Sequence, residues 1–168
     1  MHRDAFDSEL SRLISAPAQA PRPTALPPLT VLSGIDELAR QVERELATGR
    51  RSGTRLAVMV LRFGALAEPR SPALLLAMGE RLRGHLRASD LVSQLGEEGF
   101  GVVLRRAAHP HLAAIQQRLH TALNAPYGMS GRLLSAVVRV GLAGQPDGLV
   151  SASLLLRAAD PEPQGTPR

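Results

Sequence analysis

The chain of 168 residues contains no cysteine, no lysine and no tryptophan, and aromatic residues make up only 2% of it. Without cysteine, it can form neither a disulfide bond nor a thiolate metal site. With so few aromatic rings, it lacks the stacking platform that single-stranded nucleic acids require, so we expect no nucleic-acid partner. No apolar run approaches the ~18 residues of a membrane span, and the acid-containing N-terminus is unlike a signal peptide. These absences favour a soluble, cytoplasmic protein.

Arginine supplies all 20 basic residues, and with 15 acidic residues the chain carries a formal net charge of +5. Because a guanidinium group forms bidentate hydrogen bonds with phosphate and with guanine, this composition agrees with an anionic partner. A genome rich in G and C, which encodes arginine in place of lysine, would produce the same composition. The hydrophobic fraction of 44% is sufficient for a core, which must be built from aliphatic side chains.

The chain divides into four segments by composition. Phe6, Leu10, Leu13 and Ile14 have helical spacing and predict a short amphipathic helix near the N-terminus. A proline-rich stretch follows it, and the last residues are rich in proline and polar side chains. We therefore expect a helix over residues 1–15, a linker over 16–28, a folded domain over 29–160 and a disordered tail over 161–168.

Within the folded domain, apolar residues alternate between helical and extended periodicity. Residues 55–63 form an apolar run typical of a buried strand, and Ser71-Pro72 is a typical helix start. The predicted helices are one capped by Ser33 that runs to about Thr48, one from Pro72 to about Leu86, one from Pro110 and one around Leu154–Leu156. The predicted strands are 55–63, Leu91–Leu95, Phe100–Leu104 and one that starts at Arg132. This order favours an α/β protein in which helices pack against one sheet.

Four segments occur in an order and spacing that resemble those of one known family. They are Pro28-Leu29-Thr30, Gln94–Phe100, Asn124–Tyr127 and Leu154–Asp160. Together, over roughly Pro27 to Asp160, they resemble the GGDEF domain of diguanylate cyclases, which condense two GTP molecules into cyclic di-GMP. The resemblance implies an α+β sandwich with a central, mostly antiparallel sheet flanked by helices.

The segment that corresponds to the family's signature turn is Gly96-Glu97-Glu98-Gly99-Phe100. The resemblance implies two divalent metals, held by an aspartate at the end of the first strand and by an acid in this turn. Arg62 stands where the aspartate is expected, and a guanidinium group cannot ligate a cation. Glu98 matches the acid of the turn. Other positions also differ from the family: Glu97 replaces a glycine, Gly99 a glutamate, Pro27 an aspartate and Gly34 an asparagine, and loop 63–71 is too short for the family's substrate segment. We therefore expect no cyclase activity, no catalytic residue and no metal cofactor.

Adjacent acids and isolated histidines are the remaining candidates for catalysis. Glu97 and Glu98 are neighbours whose side chains point in opposite directions, so they do not converge on one atom. The histidines have no acid cluster beside them in sequence: His85, His109, His111 and His120. We interpret these residues as solvated or capping side chains rather than metal ligands.

The family's product-binding inhibitory motif, RxxD, is matched by Arg87-Ala88-Ser89-Asp90, with five residues between Asp90 and Gly96. The resemblance implies that Arg87 contacts a guanine edge or a phosphate and that Asp90 accepts hydrogen bonds from guanine N–H groups. It also implies a second arginine on the helix after the signature strand, which falls at Arg118. Arg83 lies one helical turn before Arg87 and adds charge. Two other interpretations stay open: an exposed Arg87–Asp90 ion pair at a helix end, or a relic that no longer binds a ligand.

The leading hypothesis is a catalytically inactive GGDEF-like domain that serves as a receptor for cyclic di-GMP and signals to a protein partner. The resemblance also implies a homodimer that forms when the ligand crosslinks two protomers. The alternative is a scaffold module of the same fold that docks a protein without nucleotide. Affinity for cyclic di-GMP that depends on Arg87 distinguishes the two hypotheses.

Overall fold

The computed structural model describes residues 29–64, 71–107 and 109–161. The predicted helix of residues 1–15, the linker of residues 16–28 and the predicted tail beyond residue 161 lie outside the described residues. Among the described residues, no helix has both the length and the apolar character needed to cross a bilayer.

The described residues form seven strands and four helices. In chain order they are β1 (Thr30–Leu32), α1 (Ile35–Ser52), β2 (Leu56–Phe63), α2 (Pro72–Gly84), β3 (Leu91–Leu95), β4 (Gly99–Arg105), α3 (His109–Leu123), β5 (Tyr127–Met129), β6 (Arg132–Leu134), β7 (Val138–Gly144) and α4 (Ala152–Ala159).

The central sheet has five strands in the order β1-β3-β4-β2-β7. Only β1 and β3 are parallel, and the other three pairings are antiparallel. Helices α2 and α3 pack on one face of the sheet, and helices α1 and α4 pack on the other. The predicted α+β sandwich with a mostly antiparallel sheet is therefore confirmed.

Strand β2 occupies an inner position of the sheet and is buried on both of its faces. Ala57, Met59, Leu61 and Phe63 belong to the apolar cluster beneath α2 and α3, whereas Leu56, Val58 and Val60 belong to the cluster beneath α1 and α4. The apolar run of β2 is continuous because helices cover both faces of the strand. Arg62 follows Val60 on the second face and is the one charged side chain of this strand.

The start of α1 differs from the prediction by one residue. Gly34 occupies the cap position and, having no side chain, supplies no side-chain hydrogen bond to the helix. Ser33 lies just outside the helix, where its backbone N–H and its hydroxyl both donate to Glu37 Oε2, at 2.8 and 2.9 Å. These hydrogen bonds, the backbone one foremost, lower the pKa of Glu37. The prediction for α2 is confirmed, since the hydroxyl of Ser71 accepts from the N–H of Leu74 at 3.1 Å.

The prediction of one continuous strand from Arg132 is wrong. The chain first forms a separate hairpin of β5 and β6, and β7 begins only at Val138. The hairpin turns at Ser130 and Gly131, which both have positive φ angles, of 50° and 76°. Two such residues form the tight turn that suits a two-residue hairpin loop.

Candidate ligand pocket and signature turn

The signature turn lies at the closed end of the hairpin formed by β3 and β4. Gly96 adopts a left-handed conformation with φ of 52°, which glycine tolerates without a Cβ clash. Its N–H donates to the carbonyl of Leu32 at 3.1 Å, which ties the turn to β1. The N–H of Glu98 donates back to the carbonyl of Leu95 at 3.0 Å and closes the turn.

Gly99 lies against the backbone of β2, where it pairs with Arg62. A Cβ atom at position 99 would lie 1.8 Å from the carbonyl oxygen of Leu61. Because the obstacle is backbone, no change of side-chain rotamer removes the clash. The residue at this position must therefore be glycine, unless the two strands move apart.

Arg62 forms an ion-pair cluster with Glu98 and Asp160, which come from the signature turn and from the end of α4. Its Nε and Nη2 atoms donate to the two carboxylate oxygens of Asp160, at 3.2 and 2.9 Å, and its Nη1 donates to Glu98 Oε2 at 2.6 Å. The side chains of Arg62 and Asp160 are only 14% and 20% exposed, whereas that of Glu98 is 69% exposed. The hydrogen bonds to Asp160 are the main reason why the pKa of Arg62 is raised. We call these three residues the Arg62 cluster.

The RxxD segment forms a tight turn between α2 and β3. The N–H of Asp90 donates to the carbonyl of Arg87 at 3.0 Å. The Asp90 carboxylate accepts from two backbone groups, the N–H of Arg87 at 3.0 Å and the N–H of Arg105 at 3.1 Å. The exposed Arg87–Asp90 ion pair considered from the sequence does not form within the described residues, because Asp90 binds the backbone of Arg87 and not its guanidinium group.

One pocket of about 580 Å³ brings together Arg87, Asp90 and Arg118. Its volume lies within the range of small-molecule sites in proteins. Arg118 reaches it from α3 and donates through Nη2 to the carbonyl of His85 at 2.9 Å. Arg83, which was also predicted to contribute, is absent from the residues that line this pocket. We call it the RxxD pocket; it is lined by Gly84, His85, Leu86, Arg87, Asp90, Leu104, His111, Ala114, Ile115 and Arg118.

Two histidines that were not predicted to bind the ligand, His85 and His111, also line the RxxD pocket. His111 precedes Arg118 by seven positions on α3, so the two residues lie on the same face of this helix. That periodicity is the signal that could have identified His111. No cluster of three or more histidine, aspartate or glutamate side chains suited to a metal ion occurs in the described part of the chain.

A second cavity, of about 790 Å³, lies between α2 and α3 and shares His85, Ala114 and Arg118 with the RxxD pocket. Arg81 lines it but is already engaged, because its guanidinium group donates to the carbonyls of Ala122, Ala125 and Pro126 at 2.8 to 3.2 Å. The same group lies 3.7 Å from the ring centre of Tyr127. This arrangement fixes the end of α3 and leaves Arg118 as the shared cation of the two cavities.

Comparisons with known proteins show the family and support the fold. The family model described as diguanylate cyclase, GGDEF domain, matches residues 24–163. The GGDEF domain of TpbB (YfiN) from Pseudomonas aeruginosa is 26% identical, with a TM-score of 0.65 over 80% of this chain and 82% of that one.

Two further solved structures share the fold at lower identity. Diguanylate cyclase SiaD from Pseudomonas aeruginosa, in complex with its activator SiaC, is 17% identical with a TM-score of 0.64, over 93% of this chain and 62% of that one. The GGDEF domain of DgcB from Caulobacter crescentus, in complex with c-di-GMP, is 15% identical with a TM-score of 0.57, over 83% and 88% of the two chains. Among curated proteins, none matches the sequence.

Proposed function

This chain belongs to the GGDEF domain family, and we propose that it is a catalytically inactive member that binds cyclic di-GMP in the RxxD pocket and signals to a protein partner. The observation that carries the proposal is the convergence of Arg87, Asp90 and Arg118 on one pocket of about 580 Å³.

The chemistry of these side chains suits a guanine nucleotide. An arginine guanidinium group binds either a phosphate or the guanine edge that carries two acceptors. Each carboxylate oxygen of Asp90 accepts one backbone N–H and retains acceptor capacity for a guanine N–H group. Because the backbone holds this carboxylate before the ligand arrives, binding does not have to order it.

The proposed loss of catalysis rests on the Arg62 cluster. The family implies divalent metal ions beside Glu98, but the residues present there do not fit a cation. A guanidinium group already occupies the carboxylate of Glu98 and both oxygens of Asp160. A metal ion at this place would be repelled by Arg62 and would have to displace it. Gly99 also lacks the carboxylate that the family's glutamate supplies at this position.

Two of the structures with the same fold supply precedents for the ligand and for the partner. The DgcB domain was crystallised with c-di-GMP, and SiaD was crystallised with an activator protein. They support the classes of molecule to be tested, a cyclic dinucleotide and a protein.

Titration calorimetry with cyclic di-GMP tests the proposed receptor. We expect micromolar or tighter binding by the full chain and a loss of at least about tenfold in Arg87→Ala and in Arg118→Ala, since each removes a charge-assisted contact. Arg83→Ala is the matched control: it removes the same charge from the last turn of α2, close to the RxxD turn but outside the pocket lining. We expect it to bind within about twofold of the wild type.

The same samples separate the alternatives. Light scattering with and without ligand detects the proposed ligand-dependent homodimer. Absence of heat with the wild type would reject the receptor and favour the scaffold module, which binds protein without nucleotide. Formation of cyclic di-GMP from GTP and Mg²⁺ by the purified chain would reject the proposed loss of catalysis.

A further inference from the structure

A small recess of about 100 Å³ adjoins the RxxD pocket. Both cavities are lined by Arg87, Asp90, Leu104, His111 and Ile115. The recess adds the last residue of β4, Arg105, and the two residues that follow it, Arg106 and Ala107. The shared residues place the recess directly beside the RxxD pocket.

Arg106 has an unusual backbone conformation for its residue type. Its φ angle is 55°, and among the described residues only Ser130 shares a positive φ without being glycine. A side chain other than glycine in this region costs about 1–2 kcal/mol. The following residue is fixed at the same time, since the N–H of Ala107 donates to the carbonyl of Arg55 at 3.2 Å. The chain thus holds an exposed arginine at this position where glycine would be favoured.

The neighbouring Arg105 has a different role. Its Nε and Nη2 atoms donate to the two carboxylate oxygens of Glu45 at 2.8 and 2.7 Å, and these contacts raise its pKa. Its charge is therefore compensated by α1. Within the described residues, the guanidinium groups of Arg87 and Arg106 have no such carboxylate partner. Their charge is available to a ligand.

We propose that the recess is a phosphate subsite of the RxxD pocket and that Arg106 binds a phosphodiester group there together with Arg87. The inference rests on the proposed function, because the phosphodiester belongs to the cyclic dinucleotide in the main pocket. Both arginines line the recess, and two guanidinium groups can together bind a phosphate, which has several acceptor oxygens. The carboxylate of Asp90 also lines the recess, but it accepts the backbone N–H groups of Arg87 and Arg105, and in the proposed function its remaining acceptor capacity serves the guanine.

Titration calorimetry of the full chain with cyclic di-GMP tests the subsite. We expect Arg106→Ala to weaken binding about tenfold, the change that follows the loss of one charge-assisted contact. Arg83→Ala is the control, because it removes the same charge from a residue that lines neither the RxxD pocket nor the recess. It should change affinity about twofold or less.

Two further variants separate charge from backbone conformation. Arg106→Gly relieves the left-handed strain but removes the guanidinium group, so it should bind as weakly as Arg106→Ala while melting at the same or a higher temperature. Arg106→Lys should recover part of the affinity, since it restores the charge without the bidentate geometry. The difference in affinity for cyclic di-GMP between the wild type and Arg106→Ala should also decrease as the salt concentration is raised from about 0.05 M to about 0.5 M, because salt screens an exposed charge.

The outcomes distinguish the subsite from the receptor itself. A wild type that binds, together with an Arg106→Ala variant of equal affinity, would overturn the subsite and leave the receptor intact. Normal binding by Arg106→Gly together with weak binding by Arg106→Ala would assign the effect to the backbone and overturn the subsite as well. A wild type without any binding would overturn both.

Discussion

Replacement of Arg62 by methionine removes the positive charge of the Arg62 cluster while it keeps an unbranched apolar stem in the same space. The carboxylates of Glu98 and Asp160 then lose their common partner. The loss of the partner destabilises the protein more at Asp160 than at Glu98, because Asp160 is only 20% exposed and accepts two hydrogen bonds from Arg62. We therefore expect Arg62→Met to be clearly less stable than the wild type.

The expected loss of stability depends on how exposed each of the two ion pairs of Arg62 is; we call these ion pairs the two arms of the cluster. Hydrogen bonds to charged groups contribute roughly 1.5–3 kcal/mol when they are shielded from water. The arm to Glu98 is 69% exposed and belongs to the class of surface ion pairs worth about 0–1 kcal/mol. We expect a total loss of about 2–3 kcal/mol, which for a domain of this size is a decrease of about 6–10 °C in the melting temperature.

Thermal unfolding followed by circular dichroism measures this loss, and single carboxylate variants resolve it into its two arms. Glu98→Gln should lower the stability by at most about 1 kcal/mol, because its arm is exposed. Asp160→Asn should approach the loss seen for Arg62→Met, and the double variant Arg62→Met/Asp160→Asn should lose less than the sum of the two. If Arg62→Met melted no lower than Glu98→Gln, the assignment of a stabilising cluster would be wrong.

Three other perturbations have defined outcomes. Arg62→Asp places three carboxylates together, so added Mn²⁺ should raise the melting temperature of this variant and leave that of the wild type unchanged. Gly99→Ala should destabilise by at least about 2 kcal/mol because of the backbone of Leu61, whereas Gly34→Ala, with no atom within 4 Å of the added Cβ, should behave nearly as the wild type. Tyr127 is the only tyrosine, and tryptophan is absent, so tyrosinate absorbance reports it alone. Burial raises the pKa of Tyr127 above 10.0. Its titration midpoint should therefore fall to about 10 when the protein is unfolded in urea. The stability of the folded protein should decrease as the pH rises through the folded-state pKa of Tyr127. A folded midpoint at or below the unfolded one would contradict this assignment.

The sheet could be predicted from the sequence wherever a strand is determined by its own residues. Strand β2 is an uninterrupted apolar run, and β3 was predicted at the bounds that the structure shows, Leu91–Leu95. Strand β1 was not predicted, because three residues after a proline-rich stretch carry no periodicity, and its extended state depends on pairing with β3. The hairpin of β5 and β6 was missed because Ser130-Gly131 was not interpreted as a tight turn.

The candidate site, like the sheet, could be predicted only where its residues are close in sequence. The RxxD segment could be found from its spacing to Gly96, since motif and turn lie on neighbouring stretches of chain. The Arg62 cluster could not be found, because Arg62 and Asp160 are 98 positions apart and only the fold brings them together. Arg106 was missed for another reason: a left-handed backbone at an arginine has no signature in the sequence.

The RxxD pocket and the Arg62 cluster lie at opposite ends of the β3–β4 hairpin. Asp90 and Arg105 lie at its open end, and Glu98 lies at its turn. Since a strand rises about 3.3 Å per residue, the five residues of β3 separate the two ends by roughly 15–20 Å. Between them stands a pair of strands hydrogen-bonded to further strands on both sides, β1 and β2. None of the turn residues Gly96–Gly99 lines the RxxD pocket, so a substitution at the turn removes no group from that pocket.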